Sequence, residues 1–334
     1  MDSLTQIVLG AAVGEAVLGK KVGNKAMMYG AIAGTIPDLD VLARYFTDAL
    51  TTIEVHRGFS HSLVFSVLFA PVFGWLISKV ERKQHLGWKP WSWLMFWGLV
   101  THPLLDAHTT WGTQFFWPLD LRLAYKNIFV IDPLYTLPFL VFLLLAMRQK
   151  KTSPLRSWYN SMGLIVSSTY LGVTLMLKGL SYTKFTDALE KQGVAYTAIS
   201  TRTTPFNAIL WTANVDAGDH YLIGNYSFFD SKPIQFRSYP KNHAKLGALQ
   251  EHPKLKRLMK IAEYWFTISE KEGNLYFNDL RFGLVSLDPK ETQFAFSYKL
   301  TKEEEVLTIE ESPRFGRADA RKLFLVLWDR IWGN

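Results

Sequence analysis

Residues 56–80 read HRGFSHSLVFSVLFAPVFGWLISKV. From 62 to 80 the run is apolar almost throughout, and its length suits the roughly 20 residues that carry a helix across a ~30 Å hydrocarbon layer. The stretch leading into it is the opposite in character. His56, Arg57, Ser60 and His61 crowd polar side chains against the mouth of an apolar helix. Ionisable groups at membrane depth are costly, and where they occur they tend to mark function.

Working outward, five more apolar segments appear, at about 3–19, 25–37, 91–110, 132–147 and 158–178. The last three match a spanning helix as the 62–80 run does. The first two are short and rich in Gly and Ala, and read either as spans or as a re-entrant hairpin. Gly10 and Gly14 are four apart, as are Gly30 and Gly34, a spacing that lets helices approach closely in lipid. Past residue 180 the pattern changes. Short β-rich runs at Tyr196–Ser200, Ala208–Val215, His220–Phe229 and Phe294–Leu300 are broken by turn signals at Asp216–Asp219 and Glu272–Asn274, as strands and hairpins require. Helices are expected near 252–264 and 317–332. The last carries Leu323, Phe324, Leu327, Trp328 and Ile331 at helical spacing, and either closes the domain or lies on the membrane surface. The expected fold is an α-helical transmembrane bundle of about six helices over residues 1–180, followed by a soluble α+β domain over 181–334.

Charge supports that division. Of the 37 Lys and Arg and 29 Asp and Glu, 16 basic and 10 acidic residues precede residue 181, so the excess behind the net +8 sits mostly with the apolar half. That distribution resembles membrane topology more than nucleic-acid binding, for which a basic patch or a known module is needed; no nucleic acid is expected as a partner. Lys20, Lys21 and Lys25, then Lys79, Arg82, Lys83 and Lys89, then Arg148, Lys150, Lys151 and Arg156 fall in alternate connections. By the positive-inside rule these face the cytoplasm. The N-terminus, the 38–61 and 106–131 loops and the C-terminal domain are then expected outside. The opening, with Asp2 and no basic region, predicts no cleavable leader. The absence of cysteine excludes disulfides, thiolate metal sites and a Cys nucleophile.

Four polar groups interrupt or flank the apolar segments: Pro37-Asp38-Leu39-Asp40, the 56–62 stretch, His102 with Asp106, and Asp132-Pro133. The topology brings all four to one end of the bundle. His102 and Asp106 are four apart and share a helix face. Asp38 and Asp40, two apart, fit a turn after Pro37 from which both reach one ion or two neighbouring ions. Mixed His and carboxylate donors suit Zn²⁺, Mn²⁺ or Fe²⁺. Blander readings stand beside each. Asp38 and Asp132 can cap helices, and Ser60 or His61 can bond locally at a helix start. His108 and Asp120 read as loop residues, His85 lies at the other end, and His220, His243 and His252 belong to the soluble half.

Met1-Asp2-Ser3-Leu4-Thr5, Pro37-Asp38-Leu39-Asp40, His56-Arg57-Gly58-Phe59-Ser60-His61-Ser62, Thr101-His102-Pro103-Leu104-Leu105-Asp106 and Ile131-Asp132-Pro133-Leu134 together resemble the YdjM-like family of bacterial inner-membrane, metal-dependent hydrolases, also described as LexA-binding. The resemblance covers about residues 1–150. It implies an integral membrane protein with a hydrolytic metal site drawn from Asp38, Asp40, His56, His61, His102, Asp106 and Asp132. Many relatives carry His where this chain has Gln6, a poorer ligand. The expectation is a hydrolase at the outer face of the cytoplasmic membrane using one or two divalent ions, zinc or manganese. Its substrate is expected to be a phosphoester or lipid-linked molecule, and membrane lipid its partner. Asp40 or Asp106 is expected to act as base, and Arg57, with Arg122 and Lys126, to recognise phosphate. The alternatives are an ion or metal transporter, and a regulatory or binding protein with a structural metal.

Overall fold

Two close-packed helices open the chain. In the computed structural model, which describes residues 1–288, 292–303, 306–312 and 317–334, α1 spans Ser3–Val22 and α2 spans Asn24–Thr35. Asp2 starts α1 by accepting the Thr5 N–H, so one of the orphan donors at the helix start is satisfied. The glycines spaced four apart face each other. A Cβ on Gly10 would stand 2.3 Å from the Gly30 carbonyl oxygen, and one on Gly14 2.2 Å from that of Ala26. The two backbones therefore touch, as small residues permit.

After α2 the chain tightens into a 3-10 stretch, Pro37–Tyr45, followed by α3 (Ala49–Val55) and a 3-10 turn at Phe59–His61. Helices α4 (Leu63–Val80), α5 (Trp88–Asp106), α6 (Pro133–Met147) and α7 (Pro154–Lys191) follow. Two apolar cores hold them. Val8, Ala12, Met27, Phe139 and Leu143 join α1, α2 and α6, while Ala26, Ala33, Phe65, Ala70, Trp91, Leu94 and Leu99 join α2, α4 and α5.

Among the described residues two helices, α4 and α7, are long and apolar enough to cross a membrane. The expectation of about six such helices narrows to these for identifiable reasons. With 12 residues, α2 rises only about 18 Å, and α6 has 15 residues. Helix α1 carries Glu15, Lys20 and Lys21. Helix α5 is long enough, but several of its positions are Trp, whose indole N–H is polar, and it also carries Lys89, His102 and Asp106.

By its contacts the chain forms two units, Met1–Met176 with Pro205–Asn207, and Leu177–Thr204 with Ala208–Asn334. The division falls inside α7, slightly before the 180/181 boundary read from composition. The second unit contains two antiparallel four-stranded sheets. One is β1 (Ala198–Thr203), β2 (Leu210–Asp216), β3 (His220–Ser227) and β4 (Phe236–Pro240); the other is β5 (Phe266–Lys271), β6 (Asn274–Leu284), β7 (Phe294–Glu303) and β8 (Val306–Glu311), each in chain order. Glu272 and Gly273, with φ of 51° and 74°, close the β5–β6 hairpin between the paired Lys271 and Asn274, the two positive values that a tight hairpin needs. Helices α8 (Pro253–Ile261) and α9 (Arg317–Ile331) complete it.

Candidate metal centre

Pro37 starts the 3-10 stretch that follows α2, and Asp38 comes next, its side chain 27% exposed. The 3-10 turn before α4 delivers His61, and the last turns of α5 deliver His102 and Asp106, all three buried. One donor atom from each of these four residues lies within 4.8 Å of the other three. His61 Nε2 and His102 Nε2 are 3.1 Å apart. Asp38 Oδ1 is 3.3 Å from the first and 3.4 Å from the second, and Asp106 Oδ2 is 3.5 and 3.6 Å from them.

The hydrogen bonds behind the imidazoles fix what those nitrogens offer. His102 Nδ1 is 2.6 Å from the Gly34 carbonyl, which can only accept, so Nδ1 carries the proton. His61 Nδ1 faces Ser60 Oγ at 3.0 Å and Asp40 Oδ2 at 3.2 Å. A neutral imidazole with its proton on Nδ1 presents a lone pair at Nε2. Two imidazole nitrogens and two carboxylate oxygens thus converge, with the Arg57 guanidinium and the Met1 ammonium against the Asp106 carboxylate. Asp106 Oδ2, buried, accepts no hydrogen bond. A tetrahedral ion bound at about 2.0–2.1 Å places its ligands about 3.3–3.4 Å apart; the five separations above bracket that value, while the two carboxylate oxygens stand farther apart, within 4.8 Å. These four residues could hold a metal ion.

Without an ion, the surrounding carboxylates favour a proton on His61. Burial alone would push His61 down, but its contacts with Asp106, Asp38 and Asp40 take it up to about 9. Burial would likewise raise Asp38 and Asp40; hydrogen bonding with His102 and His61 in the first case, and with His56 and His61 in the second, holds both well below the usual carboxylate range. The pocket attracts positive charge, and a proton or a cation can meet that demand.

The family model of YdjM inner membrane proteins matches residues 1–180, a stretch that includes all four donors. The chain belongs to this family. Inner membrane protein YbcI of Escherichia coli (strain K12) is 31% identical over 114 residues, which is 34% of this chain; the match spans 64% of that relative's length. No solved structure matches.

In this member of the YdjM family the remaining expected site residues take other places. Asp40 is not one of the converging donors. It receives His56 Nδ1 at 2.8 Å, the Arg57 N–H at 2.9 Å, Ser60 Oγ at 2.8 Å and His61 Nδ1 at 3.2 Å. His56 meets Oδ1, and the other three meet Oδ2. Asp40 therefore orients His61 from behind, as carboxylates commonly do for metal-binding histidines. His56 sits on the far side of Asp40 and is not brought into the cluster. Asp132 stands apart as well. It caps α6 by accepting the Leu134 and Tyr135 N–H groups, and the Tyr170 hydroxyl donates to both its oxygens.

Arg57 is buried, with its backbone in the left-handed region at φ 62°. Its Nε is 3.1 Å from Asp106 Oδ2, and its Nη1 donates to Thr109 Oγ1 at 2.9 Å. A non-glycine residue held at positive φ needs its surroundings to enforce it, and here the Arg57 N–H is committed to Asp40. His108 bonds to Asn127 at 2.9 Å, away from the four donors.

Three parts of the centre had little or no signal in the sequence. Gln6, read there only as a poorer ligand, holds Asp106: its Nε2 donates to Asp106 Oδ1 at 3.0 Å and to the His102 carbonyl at 3.3 Å, while the buried Oε1 has no partner. The Met1 ammonium also meets Asp106 Oδ1. The Gly34 carbonyl, which sets the His102 tautomer, is main chain and leaves no residue-type signature.

Proposed function

We propose that the chain is a membrane-bound, metal-dependent hydrolase, with Asp38, His61, His102 and Asp106 holding one divalent ion, zinc or manganese. The convergence of two imidazole lone pairs and two carboxylate oxygens carries this reading. Of the two ions weighed from sequence, the geometry supports one, because Asp40 and His56 are bonded to each other and Asp132 is a cap. A divalent ion there would supply a Lewis acid and an activated water.

The chain's own groups suit the rest of the task. Asp40 and the Gly34 carbonyl hold the two imidazoles in the required tautomer. Asp106 gives Oδ2 to the ion while Gln6 and the Met1 ammonium hold its Oδ1, so it serves as a ligand and not as the base expected from sequence. Arg57 adds positive charge at the same point, which favours an anionic substrate such as a phosphoester. Asp38 is the half-exposed member and marks the approach to the site. Leu39, Leu42, Tyr45 and Phe46 follow it and are exposed, so a lipid-linked phosphoester suits this approach. In the membrane arrangement the reading implies, α1, α2, α5 and α6 complete a multi-pass bundle with α4 and α7, and the site faces the outer side.

The full-length protein, purified in detergent, should carry about one equivalent of zinc or manganese by elemental mass spectrometry. The His61→Ala, Asp106→Ala double variant should carry none while keeping its helical circular dichroism. The metal-loaded protein should then hydrolyse a chromogenic phosphomonoester or a phospholipid, and the double variant neither. Metal uptake without turnover of either substrate would leave a structural or binding site. Absence of metal even after reconstitution would turn the cluster into an ion or proton pathway.

A further inference from the structure

Helix α9 presents two different faces. Leu327 and Ile331 are buried and pack with Leu210 of β2, so one face closes the second unit. On the other, Phe324, Trp328 and Trp332 recur every fourth residue and are 49%, 48% and 56% exposed. Their rings form a continuous strip: Phe324 stacks on Trp328, Trp328 meets Trp332 edge-on, and Phe229, from beyond β3, stacks on Trp332 with centroids 5.4 Å apart. Leu325 lies exposed beside them. Arg321, one turn before Phe324 and Leu325, is exposed on the same side. Single exposed apolar residues are ordinary, whereas a contiguous strip marks a surface that meets something.

Several features select the occupant. Trp and Phe on a helix face with an Arg among them is the composition that settles at the boundary between headgroups and acyl chains. The second unit is also joined to a candidate span without a linker. Helix α7 carries an apolar stretch at 158–178, and the same helix enters the second unit at Leu177, so a bilayer ends where that unit begins. The next large apolar side chains along α7, Leu180 and Tyr182, are exposed as well. Finally, Arg321 lies on the strip itself, complementary to anionic phospholipid headgroups, while Lys322 and Asp329 lie exposed at its edge.

We propose that the Phe324–Trp328–Trp332 face of α9, with Phe229 and Arg321, docks on the surface of the adjacent phospholipid bilayer. The second unit is then a membrane-resting domain and does not project freely into water. This inference needs the span in α7 and is independent of the hydrolase reading.

The chain has no cysteine, so single labels can be placed in the full-length protein. Trp328→Cys and Leu325→Cys report the proposed face, and Tyr264→Cys, at a residue 65% exposed elsewhere in the same unit, serves as reference. Each is labelled with a nitroxide and reconstituted in nanodiscs of phosphatidylcholine, with and without phosphatidylglycerol. The expected result is that labels at 325 and 328 lose relaxation by a water-soluble nickel chelate and gain relaxation by oxygen, more so with phosphatidylglycerol. The label at 264 should behave in the opposite way. Two results overturn the proposal. Chelate access at 325 and 328 equal to that at 264 places the face in water. Protection from both reagents, with spin–spin broadening, assigns it to a second copy of the chain.

Discussion

At the scale of single residues, the two carboxylates of the Asp-Leu-Asp motif divide the labour. Asp38 offers an oxygen to the cluster, while Asp40 spends both of its oxygens on four donors, His61 among them. Asp40→Asn keeps every converging atom but replaces one acceptor oxygen with an amide that donates, so His61 loses its tautomer partner. Metal affinity should fall roughly 10- to 100-fold, the usual effect of removing such a partner, as read by competition with a chelating dye. Asp132→Ala is the contrasting case. It should leave metal content unchanged and lower stability by about 1 kcal/mol, the cost of a lost helix cap. A loss of metal in Asp132→Ala would restore it to the ligand set. The 56–62 motif was legible because ionisable groups ahead of an apolar run are conspicuous, and His102 with Asp106 was legible from helical spacing. The separation of Asp38 from Asp40 was not, because it depends on how a 3-10 turn aims two side chains that composition treats alike.

At the scale of elements, the site rests on how tightly α1 and α2 meet. Gly34, whose carbonyl holds His102, belongs to the same seam, and a Cβ there would stand 2.5 Å from the Gln6 carbonyl oxygen. Gly30→Val should therefore do two things at once. Overpacking of this kind costs about 1–3 kcal/mol, and the displaced helix end should also weaken metal binding. By contrast a Cβ on Gly179 of α7 meets nothing within 4 Å, and Gly179→Ala should raise stability by roughly 0.5–1 kcal/mol, the helix-propensity gain. Thermal unfolding followed by circular dichroism separates the two. At the opposite end of α1, Glu15 and Arg156 form a buried bidentate pair that ties α1 to α7. Arg156→Leu leaves Glu15 buried without its partner, a change that costs about 3–5 kcal/mol, and unfolding at room temperature in detergent is the expected reading. The glycine seam could be read from spacing in the sequence, whereas β6 could not. Its Asp279 and Arg281 break the alternation of apolar residues that announces a strand, and only the structure shows them satisfying each other inside it, at 2.7 Å.

For the whole molecule, the change in composition near residue 180 was the most readable feature, because apolar runs and β-rich runs obey different periods. The number of spans was less readable. Apolar helices that pack against one another and helices that face lipid look alike when the neighbours are unknown. The two units make a prediction that neither residues nor elements make alone. All four donors lie in the first unit, on stretches far apart in sequence, so an ion there clips the 36–62 region to the end of α5. A metal that bound only the folded arrangement would, at a hundredfold excess over its dissociation constant, stabilise the folded state by about 2.7 kcal/mol. Hydrogen exchange on the full-length protein should accordingly slow at residues 36–62 and 98–113 when metal is added, and stay the same in β1 to β8. Slowing in the strands by the same factor would mean that the two units open together, with α7 as the element that couples them. Unchanged exchange at 36–62 in a protein that has taken up one equivalent of metal would place the ion elsewhere.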